Sequence, residues 1–362
     1  MAQKLFQGNE AIGVGAINAG CSGFFGYPIT PQNEITEWFA QELPGRGGVF
    51  VQSQCETGSI NMLYGASATG ARCITSTSSP GWGLMQETIS HMVNAQLPCV
   101  IVLVQRAGPG QGTTQQGQMD YLSATRGGGQ GGYKNIVLAP ASVQENCDLV
   151  QLAFYLADKY RNPVIVLTDA IIGQMAEPLE IRSIDFGPLP KKEWALTGTK
   201  YRSNGRPSFI SCSEGAIPSE SHPTYLALIE NLSRKYQAMT NEEVRVESYL
   251  MEETELVLVA YGYTARVCKA AVKAARKEGI KAGLLRPITL WPFPEKPLAE
   301  LASQGKRFLV VEDSLGQLVD DVRLAGVDRR VIHFLGVLAR HSPTSEGMIL
   351  PKRVLEEIMR II

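Results

Sequence analysis

A succession of short, continuous apolar runs separated by helical patterns constrains this chain most. GGVFVQSQ (47–54), RCITSTSS (72–79), CVIVLVQR (99–106), NIVLAPAS (135–142) and NPVIVLTD (162–169) are rich in β-branched residues. Most of these runs are continuous and do not alternate with polar residues, as expected of strands buried on both faces. Helical patterns lie between them at about 33–42, 56–69, 83–95 and 143–159. This βαβα order predicts an α/β fold built on a doubly wound parallel sheet. From 183 to 245 the composition turns to Pro, Ser and charged residues, a linker or excursion with one helix near 224–238. Alternation resumes in ELVLVAYG (255–262), IKAGLLRPI (280–288), KRFLVVEDS (306–314) and RRVIHFLGV (329–337). The expected organisation is a first α/β domain over 1–182, a linker over 183–245 and a smaller α/β domain over 246–362. A length of 362 residues is more than one ordinary core requires.

The bulk properties narrow the function classes. A formal net charge of −1 points to neither nucleic acid nor an anionic membrane. No apolar run approaches the roughly 20 residues that span a bilayer. The N-terminal MAQKLFQGNEAIG has no secretory apolar stretch, so a cytoplasmic location is expected. The seven cysteines are spread along the chain without a close C-x-x-C pair, which predicts neither a disulfide framework nor a metal or iron–sulfur site. The four histidines are scattered and read as structural.

Four segments carry candidate chemistry. GVGAINAG (13–20) is a displaced G-x-G-x-x-G that falls inside the first helical pattern, so a nicotinamide site is not expected there. GYPITPQNEI (26–35) holds Thr30 between Pro28 and Pro31, outside regular structure. Such a loop suits a ligand contact and equally suits a plain strand-to-helix turn. Glu56 opens a helix rich in small residues, either as a helix-dipole charge or as a carboxylate presented to a cleft. TSTSSPGWG (75–83) reads as a glycine–proline turn with several hydroxyls. Arg106 ends a strand and precedes a long glycine-rich loop (105–132), offering a two-pronged donor for a carboxylate or lying free on the surface.

The order of these motifs is more telling than any one of them. GYPITP, then CETGSINMLYGASATGAR, then TSSPG, then QRAGPGQGTTQ resembles the alpha subunit of 2-oxoacid:ferredoxin oxidoreductases, in particular the branched-chain (2-oxoisovalerate, or 3-methyl-2-oxobutanoate) type. LRPITLWPFP (285–294) and LVVEDSLGQLVDDVR (309–323) are similar to the second domain of that family. The resemblance implies a pyrimidine-binding thiamine-diphosphate domain followed by a transketolase C-terminal-like domain. It also implies that Glu56 meets N1′ of the thiamine pyrimidine, assisting removal of the C2 proton. Thr30 and Arg106 are expected at the 2-oxo-carboxylate. Tyr27, Pro28, Ile29, Ser79 and Pro80 are the further expected cofactor contacts.

The same resemblance implies a divided enzyme that carries out coenzyme A-dependent oxidative decarboxylation. No G-D-G motif occurs in the chain. Mg2+ and the diphosphate half-site are therefore expected on a beta subunit. The 4Fe–4S clusters are expected on partner chains; the further partners are a gamma subunit and a ferredoxin-like iron–sulfur delta subunit, with ferredoxin as acceptor. No metal ligand is expected here. Other readings are 2-oxoglutarate or pyruvate as substrate, a non-oxidative split thiamine enzyme, and a non-catalytic scaffold. The 2-oxoglutarate pattern G-P-S-T-G-x-P-T departs here, with Gly110-Gln111 for Ser-Thr and Gln115 for the last Thr. Ser314 stands where relatives carry Asn in E-x-N-x-G-Q-M.

Overall fold

The computed structural model describes residues 4–111, 113–198, 225–340 and 347–362. The 199–224 part of the expected linker lies outside the described residues. The chain opens with β1 (Lys4–Gln7), α1 (Gly8–Asn18), β2 (Gly23–Gly26), α2 (Asn33–Glu42), β3 (Val49–Gln52), α3 (Glu56–Ala68) and β4 (Cys73–Ser78). It continues through α4 (Ser79–Asn94), β5 (Cys99–Gln105), α5 (Tyr121–Arg126), β6 (Ile136–Leu138), α6 (Val143–Tyr160), β7 (Pro163–Asp169), α7 (Ala170–Gln174) and β8 (Ala176–Leu179). After α8 (Tyr225–Glu242) come β9 (Val246–Tyr249), β10 (Leu256–Val259), α9 (Gly262–Lys277), β11 (Ala282–Pro287), β12 (Thr289–Trp291) and α10 (Glu295–Ser303). The last elements are β13 (Arg307–Val311), α11 (Leu318–Leu324), β14 (Ile332–Leu335) and α12 (Pro351–Ile361). Among the described residues no helix is long and apolar enough to cross a membrane.

The first sheet runs β12-β6-β7-β5-β4-β2-β3, parallel except for β12. Its apolar runs are continuous because both faces are covered. Val100, Val102 and Val104 of β5 pack with Ile12 of α1 and Phe154 of α6. Ile101 and Leu103 pack on the other side with Met85 and Ile89 of α4. Full burial of such side chains stabilises by about 1.5–3 kcal/mol each. The second sheet runs β14-β13-β10-β11-β9, parallel except for β9. Val257 and Val259 of β10 belong to the same apolar cluster as Ile101 and Leu103, so one core runs through both sheets.

Several local expectations change. α4 begins at Ser79, not near 83, because Pro80 sits in the first turn, where its missing N–H costs nothing. The expected TSTSSPGWG turn is thus the end of β4 and the start of that helix. The glycine-rich 105–132 segment contains α5. The strand expected over 280–288 is followed directly by a second: β11 stays in the second sheet, while β12 crosses to the first and pairs antiparallel with β6. The glycines of GVGAINAG lie mostly in α1, where a Cβ on Gly13 would meet the Trp38 ring and one on Gly15 the Cys147 carbonyl oxygen. They permit close helix packing, and no phosphate loop is formed.

Candidate functional site

In the first sheet the chain leaves β2 toward β3 on one side and reaches β4 on the other. The carboxyl ends of β2 and β4 therefore flank a topological switch point, where open α/β sheets bind ligands. The loop after β2 carries Tyr27 to Pro31, and α4 starts directly after β4. Gln32 ties the two together. Its Nε2 donates to the Tyr27 carbonyl (3.0 Å), and its Oε1 accepts from the Ser76 hydroxyl (2.5 Å). Asn9 of α1 holds the loop from behind, donating to the Pro31 carbonyl at 2.8 Å.

Arg106 follows β5 and is buried. Its Nη1 donates to the Thr30 carbonyl (2.8 Å) and its Nη2 to the Gln111 carbonyl (2.9 Å). Its Nε is buried without an acceptor among the described residues. Among the described residues it forms no ion pair with a carboxylate, and its burial rules out the alternative of an arginine lying free on the surface. Thr30 is half-buried, and its carbonyl is engaged by Arg106.

Ser79, the first residue of α4, accepts from the Arg106 backbone N–H at 3.1 Å and donates to Asp120. Two residues on, Gly81 makes room for Glu56: a Cβ there would lie 2.5 Å from the Glu56 Cγ and 2.6 Å from its Oε1. Glu56 is the first residue of α3 and only 6% exposed. None of the described residues donates a hydrogen bond to its carboxylate. A buried carboxylate ordinarily collects donors, because an unsatisfied charge is costly to bury. The first turn of α4 thus joins Glu56, Ser79, Arg106 and, through Arg106, Thr30. Pro80 lies between them. Tyr27, Pro28 and Ile29 stand one to three residues before Thr30, with Pro28 exposed.

Asp120 is a member of this cluster that the sequence reading did not single out. It is the only carboxylate between Arg106 and Arg126, the one signal that could have pointed to it. Burial pushes its carboxyl up to about 6, opposed by the Ser79 hydrogen bond and the Arg106 charge. Ser79, Pro80, Gln111, Met119 and Asp120 line a cleft of about 650 Å3 together with Leu315 and Gln317 of the second domain.

The second domain is locked to this region by satisfied polar groups. Gln317 donates to the Met119 carbonyl and accepts from the Leu122 N–H, both at 2.8 Å. Glu312 takes four donors: Ser314 Oγ and the backbone N–H groups of Gln317, Leu318 and Val319, at 2.6–3.0 Å. Ser314 thus acts within its own loop. Arg286, fully buried, bridges Glu145 of the first domain (2.6 and 2.9 Å) and Glu247 (2.6 Å).

Comparison with known proteins follows this geometry. Residues 14–247 match the family model for pyruvate flavodoxin/ferredoxin oxidoreductase, thiamine diP-bdg, and residues 254–347 match pyruvate:ferredoxin oxidoreductase core domain II. The chain is 48% identical to the ketoisovalerate oxidoreductase subunit VorB of Methanothermobacter marburgensis over 91% of this chain and 92% of that one. It is 38% identical to the 2-oxoglutarate synthase subunit KorA of the same organism over 89% and 91%. Among solved structures, the 2-oxoglutarate:ferredoxin oxidoreductase from Magnetococcus marinus matches with a TM-score of 0.83 at 27% identity. That match covers 99% of this chain and 65% of the solved one. A split-gene transketolase, at 14% identity and a TM-score of 0.58, shares the fold alone. The chain belongs to the pyruvate flavodoxin/ferredoxin oxidoreductase family, as a subunit that carries its thiamine-diphosphate-binding domain and its core domain II.

Proposed function

We propose that this chain is the pyrimidine-binding alpha subunit of an enzyme that oxidatively decarboxylates a branched-chain 2-oxoacid. Coenzyme A is the acyl acceptor and ferredoxin the electron acceptor. One observation carries the reading: Glu56, a buried carboxylate, and Arg106, a buried arginine, neither with an oppositely charged partner among the described residues, meet at the first turn of α4. The residues fit thiamine diphosphate. Glu56 would hold the proton at N1′, with Tyr27 to Ile29, Ser79 and Pro80 around the ring. When bound, the cofactor supplies the electron sink that decarboxylation needs. Arg106 would fix the substrate carboxylate, and the Thr30 hydroxyl would orient the adjacent carbonyl.

The absence of G-D-G from the chain supports a beta subunit that brings Mg2+ and the diphosphate contacts. A gamma subunit and a ferredoxin-like iron–sulfur delta subunit would complete the complex and pass electrons to ferredoxin, in the cytoplasm. The division into 1–182, 183–245 and 246–362 belongs to the same reading. The branched-chain assignment rests on the 48% identity to a ketoisovalerate oxidoreductase subunit and on a loop after Arg106 that offers no second cation until Arg126. Purification of the native complex, with iron and thiamine analysis and kcat/KM for 2-oxoisovalerate, 2-oxoglutarate and pyruvate, tests it. The expected order places 2-oxoisovalerate first. A preference for 2-oxoglutarate would show that a partner supplies the missing cation.

A further inference from the structure

The cleft beside Arg106 has an unusual wall. Leu315 is 74% exposed, although both of its sequence neighbours are pinned. Ser314 is fully buried; its Oγ donates to Glu312, and its carbonyl accepts from Val337 N–H at 2.9 Å. Gly316 has φ +112°, a conformation that favours glycine, and its N–H donates to Ser314 Oγ at 3.0 Å. Gln317 is clamped to Met119 and Leu122. The backbone on both sides is therefore fixed, and a leucine side chain is presented to the cleft by a rigid loop. Pro80, Pro109 and Met119 line the same cleft. Among the described residues the cleft lining holds no Lys or Arg, and its one ionisable group is Asp120. A second substrate carboxylate placed here would lose its hydration and face a like charge. An aliphatic tail would bury apolar surface against Leu315.

We propose that Leu315, contributed by the second domain, is the residue that selects the side chain of the 2-oxoacid. It forms the apolar stop against which a branched aliphatic tail packs. This rests on the functional reading above and names the determinant within it.

The test uses the assembled complex carrying Leu315→Ala, Leu315→Met or Leu315→Arg, with the three acids as substrates. Leu315→Ala is expected to lower the kcat/KM ratio of 2-oxoisovalerate over pyruvate by ~10-fold or more, the scale of lost methylene contacts in a specificity pocket. Leu315→Met should recover most of that ratio. Leu315→Arg should raise 2-oxoglutarate relative to 2-oxoisovalerate. Equal changes for all three acids would overturn the proposal, as would no change, or weakened subunit assembly with the ratios intact. A wild-type complex that oxidises none of the acids would overturn the functional reading first, and this proposal with it.

Discussion

Glu56 and Glu312 are both buried carboxylates placed beside the first turn of a helix, and they are used in opposite ways. Glu312 is saturated, with four donors from its own loop, so its charge is spent on holding residues 312–319 in place. Glu56 is buried to a similar degree and receives none from the described residues. The buried arginines repeat the contrast. Arg286 is matched by Glu145 and Glu247, whereas Arg106 has two backbone carbonyls and an orphaned Nε. Saturation marks the joints between domains, and the incomplete pair stands where the proposed cofactor and substrate would bind.

Glu56→Gln tests that contrast most severely. It should leave the complex assembled and its Tm close to wild type while lowering 2-oxoacid-dependent dye reduction by ~10²–10⁴-fold, the usual worth of an acid–base group. Glu312→Gln should do the reverse, costing about 1–3 kcal/mol of stability through mismatched buried donors. Wild-type C2-proton exchange of bound thiamine in the Glu56 variant would return Glu56 to a plain helix charge.

The arginines come next. Arg106→Lys should raise KM more than it lowers kcat, with kcat/KM down about 10–100-fold, because an ammonium cannot reproduce a two-pronged contact. Arg286→Met should instead lower stability by roughly 2–3 kcal/mol. That is less than a fully buried pair loses, since both carboxylates remain partly exposed. Chemical denaturation of the two variants side by side separates these outcomes.

Asp120 gives a smaller, pH-shaped effect. Its folded value of about 6 lies above its ordinary 3.8. Between these values the folded chain keeps a proton that the unfolded chain releases. Stability from this group is therefore full below about pH 4, falls as pH rises through 6, and amounts to ~3 kcal/mol at most. Asp120→Asn should flatten that slope. The ionised carboxylate also takes the Ser79 proton and leaves Ser79 Oγ free to accept from Arg106. kcat/KM should accordingly drop a few-fold below about pH 6 in wild type, with no such limb in the variant. Smallest of all is the signal expected when the lone chain is titrated with thiamine diphosphate and Mg2+ by calorimetry: weak heat or none. Tight, Mg2+-dependent binding would contradict a divided cofactor site.

Strands buried on both faces were legible in the sequence because burial leaves a continuous apolar run, as in CVIVLVQR and NPVIVLTD. Thr30, Glu56 and Arg106 could be picked out because each stands at the end of such a run or the start of a helix. α4 was placed late because Pro80 signals a turn and a first helical turn alike. α5 was hidden by the glycines on both sides of YLSATR. Asp120 owes its raised carboxyl to burial in the assembled fold, where it meets Ser79 from forty-one residues away, and no local pattern encodes that meeting. β12 was missed for the same reason, since its partner is β6, more than a hundred residues earlier.

That last pairing has a consequence for biosynthesis. β6 forms one side of a parallel sheet whose strands β2 to β7 are all made by residue 169, yet its outer edge is closed only by Thr289–Trp291. The Ala139 N–H likewise waits for the Ile288 carbonyl, at 2.8 Å. A ribosome must therefore translate most of the second half of the chain while a finished sheet presents an uncovered row of backbone donors and acceptors, the usual template for mispairing. Truncation anywhere between 170 and 288 would leave that edge permanently open. Fragments ending there are expected to aggregate during expression, even though they hold every strand of the first parallel sheet.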